Sequence, residues 1–91
     1  MKQQITLTLG STDFLFNVTV QDHSDYIDAA ARGSSITAAS HNFTMRTIDA
    51  SQKDEFKKLL DECPGAELQI AAALKSEFSP VLEITVKKSS S

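Results

Sequence analysis

The chain has few of the residues that do most covalent and metal chemistry. Of its 91 residues, one is cysteine, two are histidine, three are glycine, two are proline and none is tryptophan. A lone thiol, Cys63, closes no disulfide within the chain. Three scattered glycines build no phosphate-cradling loop. No apolar run approaches the roughly 18 residues needed to cross a bilayer. The start Met1-Lys2-Gln3-Gln4-Ile5 lacks the apolar stretch of a secretory signal, so a reducing cytoplasm is the expected setting. The sequons at Asn17 and Asn42 are therefore expected to carry no glycan. An excess of basic residues is also missing: nine Lys and Arg stand against twelve Asp and Glu, a net charge of -3. That balance disfavours nucleic acid or an anionic membrane as a partner.

What is present is ordinary globular material. A hydrophobic content of 41% argues against wholesale disorder, and the length suits one domain with a single core. Residues 1–88 are expected to form that domain, with 89–91 as a frayed tail. Ile5, Leu7 and Leu9 alternate with threonines. Phe14, Phe16, Val18 and Val20 alternate with Leu15, Asn17 and Thr19, and the Gly10-Ser11-Thr12-Asp13 turn signal lies between the two runs. An antiparallel hairpin with one apolar face is predicted.

Residues 22–31 read as a short helix capped by Asp22, with Tyr26, Ile27, Ala30 and Ala31 as an imperfect apolar stripe. Asp22, Asp25 and Asp28 then line one side. They lack the loop spacing and glycine of an EF-hand, so a solvated helix face is the expectation. Residues 32–42 are small, polar and aperiodic, and read as a mobile loop. Phe43 and Met45 share a face if the next segment is extended, Met45 and Ile48 if it is helical; the extended or irregular reading is preferred.

The rest is organised as two helices and a strand. Ser51 with Asp54 suggests a variant capping box, with Asp49 as a second cap candidate. Phe56, Leu59, Leu60 and Cys63 fall on one stripe, while Lys53, Asp54, Lys57, Lys58 and Asp61 take the wet side. Pro64-Gly65 breaks the helix, with proline suited to the first turn of the next. The second helix, Ala66–Phe78, contains the run Ile70-Ala71-Ala72-Ala73-Leu74 and is expected to be the most buried. Ser79-Pro80 stops it. Leu82, Ile84 and Val86 then alternate with polar residues as a third strand. The predicted fold is α+β: a three-stranded antiparallel sheet, the N-terminal hairpin plus the C-terminal strand, covered on one face by two long helices and a short one.

No catalytic constellation is visible. Cys63 sits on an apolar stripe and reads as a small core residue, not a nucleophile. His23 and His41 read as surface residues; a deep pocket lined by both and Asp25 would be needed to suggest an enzyme. No catalytic, cofactor-binding or metal site is expected, and no enzyme.

Several stretches together resemble the small tail assembly chaperones of tailed bacteriophages and prophages. They are Gln4-Ile5-Thr6-Leu7-Thr8, Phe16-Asn17-Val18-Thr19, Asn42-Phe43-Thr44-Met45-Arg46-Thr47-Ile48, the Pro64-Gly65 junction before Gln69-Ile70-Ala71, and Glu77-Phe78-Ser79-Pro80 through Leu82-Glu83-Ile84-Thr85-Val86-Lys87-Lys88. The resemblance implies a cytoplasmic protein of the bacterial host cell that binds the tape measure protein during tail morphogenesis and is absent from the finished virion. It also implies contact with the tail tube protein. Homo-oligomerisation would multiply the exposed apolar contacts such a task needs. The candidate partner contacts are Phe43, Met45 and Ile48. Lys87-Lys88 can be encoded by a run of adenines, which suggests a frameshifted longer form. The alternative is a small phage- or mobile-element-encoded regulatory binding module acting on a host protein.

Overall fold

A computed structural model describes residues 2–33, 35–79 and 84–87. Strands β1 (Lys2–Leu9) and β2 (Thr12–Thr19) pair antiparallel from Lys2 opposite Thr19 to Leu9 opposite Thr12. Four helices follow: α1 (Val20–Ala31), α2 (Ile36–Thr47), α3 (Lys53–Glu62) and α4 (Ala66–Phe78), with a 3₁₀ turn, Ala50–Gln52, leading into α3.

The hairpin follows its alternation. Gly10 has φ 67° and Ser11 does not share a positive φ, so the two-residue loop fits the II′ pattern, whose first central position suits glycine. Ile5, Phe14, Phe16 and Val18 are buried, and Leu7 and Leu9 pack partly against them. Val20, expected on the same face, is exposed because the chain has already entered α1. The cap of that helix is Thr19, three residues before the predicted cap, Asp22. The Thr19 hydroxyl accepts from the Asp22 amide and an Asp22 carboxylate oxygen accepts from the Thr19 amide, both at 3.1 Å. Asp22 thus serves at the third helical position of a reciprocal capping box.

The core lies between the apolar face of the hairpin and the helices. Phe56 of α3 meets Phe14 and Phe16 edge to face, with ring centroids 5.7 and 5.4 Å apart. Each such pair adds about 0.5–1.5 kcal/mol beyond the area it buries. Leu60, Ile70, Ala71 and Leu74 complete the cluster. Helix α4 buries three residues against five in α2, so it is not the most buried helix. Of its alanines, Ala71 is fully buried, Ala73 half-buried and Ala72 exposed.

Residues 32–48 overturn two expectations. From Ser35 onward the segment is not a mobile loop with an extended continuation but the helix α2, whose cap is the Ser35 hydroxyl accepting from the Ala38 amide at 3.3 Å. Its buried residues are Ala39, Ser40, Phe43, Thr44 and Thr47. Thr44 donates to the Ser40 and His41 carbonyls, both at 3.0 Å, and Thr47 to the Phe43 and Thr44 carbonyls at 2.9 and 3.2 Å. Hydroxyls satisfied within their own helix can be buried without an unpaired donor.

Among the described residues the sheet has two strands, not three. The outer edge of β2 is taken by the link between α2 and α3. Ile48 bridges to Phe16, the Asp49 amide donates to the Leu15 carbonyl at 2.9 Å, and the Gln52 side chain accepts from the Leu15 amide and donates to the Asp13 carbonyl, each at 2.8 Å. Ile84 and Val86, expected on the buried face of a third strand, are 80% and 78% exposed. Leu82 of that run, the Pro80 stop signal and the frayed tail at 89–91 lie outside the described residues.

Two smaller corrections concern α3. Asp49, not Ser51, is the capping side chain, and it caps the 3₁₀ turn that leads into α3, accepting from the amide and the hydroxyl of Ser51, while Gln52 at the cap of α3 itself makes no side-chain cap bond. Cys63 is exposed rather than in the core. Its amide closes the last turn on the Leu59 carbonyl, and its backbone then leaves the helix, so its side chain no longer follows the Phe56–Leu60 stripe. Pro64 precedes α4 instead of occupying its first turn; Gly65, at φ 85°, holds the cap position.

Candidate protein-binding site

Among the described residues, the titratable groups singled out in the sequence do not converge. His23 is half-buried on α1 and lies 5.2 Å from the ring of Phe78 on α4, with a buried, unpartnered Nε2, so it is not the surface residue expected. His41 is exposed on α2. Asp25 faces Arg46 of α2, not either histidine. Its Oδ1 accepts from Gln21 at 2.7 Å and its Oδ2 from the Arg46 Nη1 at 3.1 Å, while the Arg46 Nη2 reaches Asp22 at 3.3 Å. The Gln21 hydrogen bond, then that of Arg46, holds the Asp25 carboxyl below its ordinary 3.8. Asp49 is lowered in the same way, first by the Ser51 hydroxyl and then by the Ser51 amide. Asp22 and Asp25 thus clamp α2 onto α1 through Arg46. Among the described residues, no group of three or more His, Cys, Asp or Glu side chains is placed to hold a metal ion.

Of the expected contact residues, Phe43 and Ile48 are in the core, 3% and 6% exposed, with Phe43 stacked on Tyr26 at 4.7 Å. Met45 is half-buried and reaches the surface. It does so in a hollow of about 800 Å³ between α2 and α3, whose lining includes His41, Met45, Arg46, Ile48, Lys53 and Lys57. His41 and Met45 are four residues apart on α2, and Lys53 and Lys57 four apart on α3. Each pair therefore forms a stripe one helical turn long. The hairpin edge holds the two stripes apart, because Ile48, Asp49 and Gln52 are fastened to β2.

A second hollow, about 520 Å³, opens where the tip of the hairpin meets the α3–α4 junction. Leu7, Leu9, Leu59, Cys63, Ala66 and Ile70 are among its walls. It is more apolar than the first, but it has no charged side chain to orient a partner. The sequence put Lys53 and Lys57 correctly on the wet side of α3. It did not show that they face α2, because that depends on α2 being a helix; the four-residue spacing from His41 to Met45 was the available signal.

A family model for phage tail assembly chaperones matches residues 5–88. Among solved structures, an uncharacterised protein from Bacillus stearothermophilus superposes with a TM-score of 0.66, over 96% of this chain and 90% of that one, at 22% identity. At that identity the likeness speaks to the fold alone. No curated protein matches the chain. No helix among the described residues is long and apolar enough to cross a membrane.

Proposed function

The chain belongs to the phage tail assembly chaperone family, and from that we propose that it binds the tape measure protein during tail morphogenesis, in the cytoplasm of the host cell. It keeps that protein soluble and helps bring tail tube subunits to it. The observation that carries this reading is the extent of the family match, which runs from the first core residue, Ile5, past the last helix. The surface is compatible with such a role: a small acidic scaffold presents an open apolar hollow at the hairpin tip and a mixed, largely basic one between α2 and α3. Binding by several copies would raise the effective affinity of each shallow contact. Met45 is the member of the expected contact trio with surface to offer.

The test is co-expression with the tape measure protein encoded in the same tail gene cluster. The tape measure protein is expected in the soluble fraction, and on the tagged chaperone after affinity capture, only when the two are made together. Equal solubility with and without the chaperone, and no co-purification, overturns the reading. Reproducible recovery of a host enzyme in place of a tail protein favours a regulatory module.

A further inference from the structure

We propose that the groove between α2 and α3 is a docking site for one turn or two of an acidic amphipathic helix. Its apolar residues would seat on Met45, and its carboxylates would meet Lys53 and Lys57. The inference deepens the tail chaperone reading, on which it rests for the identity of the partner.

Two independent features point to this occupant. The first is shape. The walls are two helices, each presenting side chains at four-residue spacing, and a partner helix offers the matching i, i+3, i+4, i+7 pattern. The stretch from His41 to Ile48 spans about 10 Å at 1.5 Å per residue, close to two turns of such a helix. Met45 provides an unbranched, adaptable thioether at the floor, suited to receiving apolar side chains of varied shape.

The second is charge. The protein is acidic, with a net charge of -3, yet Arg46, Lys53 and Lys57 line this one hollow against the single carboxylate of Asp22. Arg46 is already engaged by Asp22 and Asp25. Lys53 and Lys57 are exposed, and neither forms an ion pair among the described residues. Arg46 is thus held within the fold, whereas Lys53 and Lys57, two of the cations without an ion pair among the described residues, face the groove. Outside this hollow the chain carries eleven Asp and Glu against six Lys and Arg, so the groove is where an acidic segment meets least opposition.

The experiment titrates the full chain, with isotope-labelled methionine methyls and backbone amides, against three probes. These are a synthetic helical peptide with leucine on one face and glutamate on the other, the same peptide with lysine in place of glutamate, and a single-stranded DNA oligomer of matching negative charge. The acidic peptide is expected to shift the Met45 methyl and the amides of residues 41–57. Its binding should weaken about tenfold in Lys53→Glu/Lys57→Glu and weaken with added salt. Lys58→Glu is the control, because Lys58 lies on the other side of α3, beside Leu9 and Phe14; it carries the same charge change per residue and should leave binding within twofold. Three results would overturn the proposal: equal binding of the lysine peptide or the DNA, shifts centred on Leu7, Leu59 and Ile70 instead, or no saturation by the acidic peptide. None of these outcomes depends on the tape measure protein, so the groove and the chaperone reading can fail separately.

Discussion

Two adjacent stripes of α3, one turned inward and one flanking it at the surface, do opposite work. One side carries Phe56 and Leu60 into the core, where Phe56 is fully enclosed between Phe14 and Phe16. The other carries Lys53 and Lys57 over an open groove, exposed and without ion-pair partners among the described residues. A helix in a domain this small has few places to spare. Apolar burial is the main source of stability, so the side that adds nothing to it is available for a partner. The comparison predicts that substitutions on the two sides will separate stability from binding.

The largest effect belongs to the buried side. Phe56→Ala should lower unfolding free energy by about 3–5 kcal/mol, read from urea unfolding, through lost transfer energy and the cavity left among the aromatic rings. A loss below about 1 kcal/mol would mean that the core does not close around this ring. Next comes Thr19→Ala, which removes one half of the capping box that starts α1 and should cost about 1 kcal/mol.

Smaller again is the effect of the charged side. Lys53→Glu/Lys57→Glu should leave stability within about 0.5 kcal/mol of the parent, as exposed substitutions away from the core usually do, while abolishing or weakening capture of the tape measure protein. A large drop in stability would erase the distinction between the two sides.

The smallest effect concerns pH. Asp25 and Asp49 have lowered carboxyl pKa values in the folded chain, so each favours folding above its ordinary 3.8, and that contribution is lost as pH falls through the lowered native value. Carboxyl titration by NMR in Gln21→Ala and in Arg46→Ala should show Asp25 moving back up toward its ordinary value. The larger movement is expected for Gln21→Ala, because the Gln21 hydrogen bond contributes most to the shift. An unmoved Asp25 in both variants would contradict the clamp described between α1 and α2.

How far these features were legible in the sequence depended on how burial is encoded. The hairpin was readable because a period of two in Ile5, Phe14, Phe16 and Val18 marks its buried face directly, and Phe56, Leu59 and Leu60 mark α3 by their helical spacing. Helix α2 was not, since most of its buried face is Ala39, Ser40, Thr44 and Thr47, small or hydroxyl-bearing residues that leave no apolar stripe to find. The one clear sign was a cap, Ser35, ahead of Phe43 and Thr47 at four-residue spacing. The third strand is not seen among the described residues for a different reason: the alternation of Ile84 and Val86 is a local pattern, and it does not say whether a sheet edge is free. The β2 edge is occupied by Ile48, Asp49 and Gln52, which the sequence places only once α2 is known to be helical. The groove was hidden by the same gap. Its lysines were assigned to solvent correctly, but the wall opposite them was read as a mobile loop followed by an extended or irregular segment.

The most direct test of this division of α3 is hydrogen–deuterium exchange on the chaperone alone and in complex with the tape measure protein. The account predicts that added protection on binding is concentrated at residues 41–57, around Met45 and the Lys53–Lys57 stripe, with the hairpin amides unchanged. Protection centred instead on β1 and the α3–α4 junction, with residues 41–57 exchanging as they do in the free protein, would contradict it.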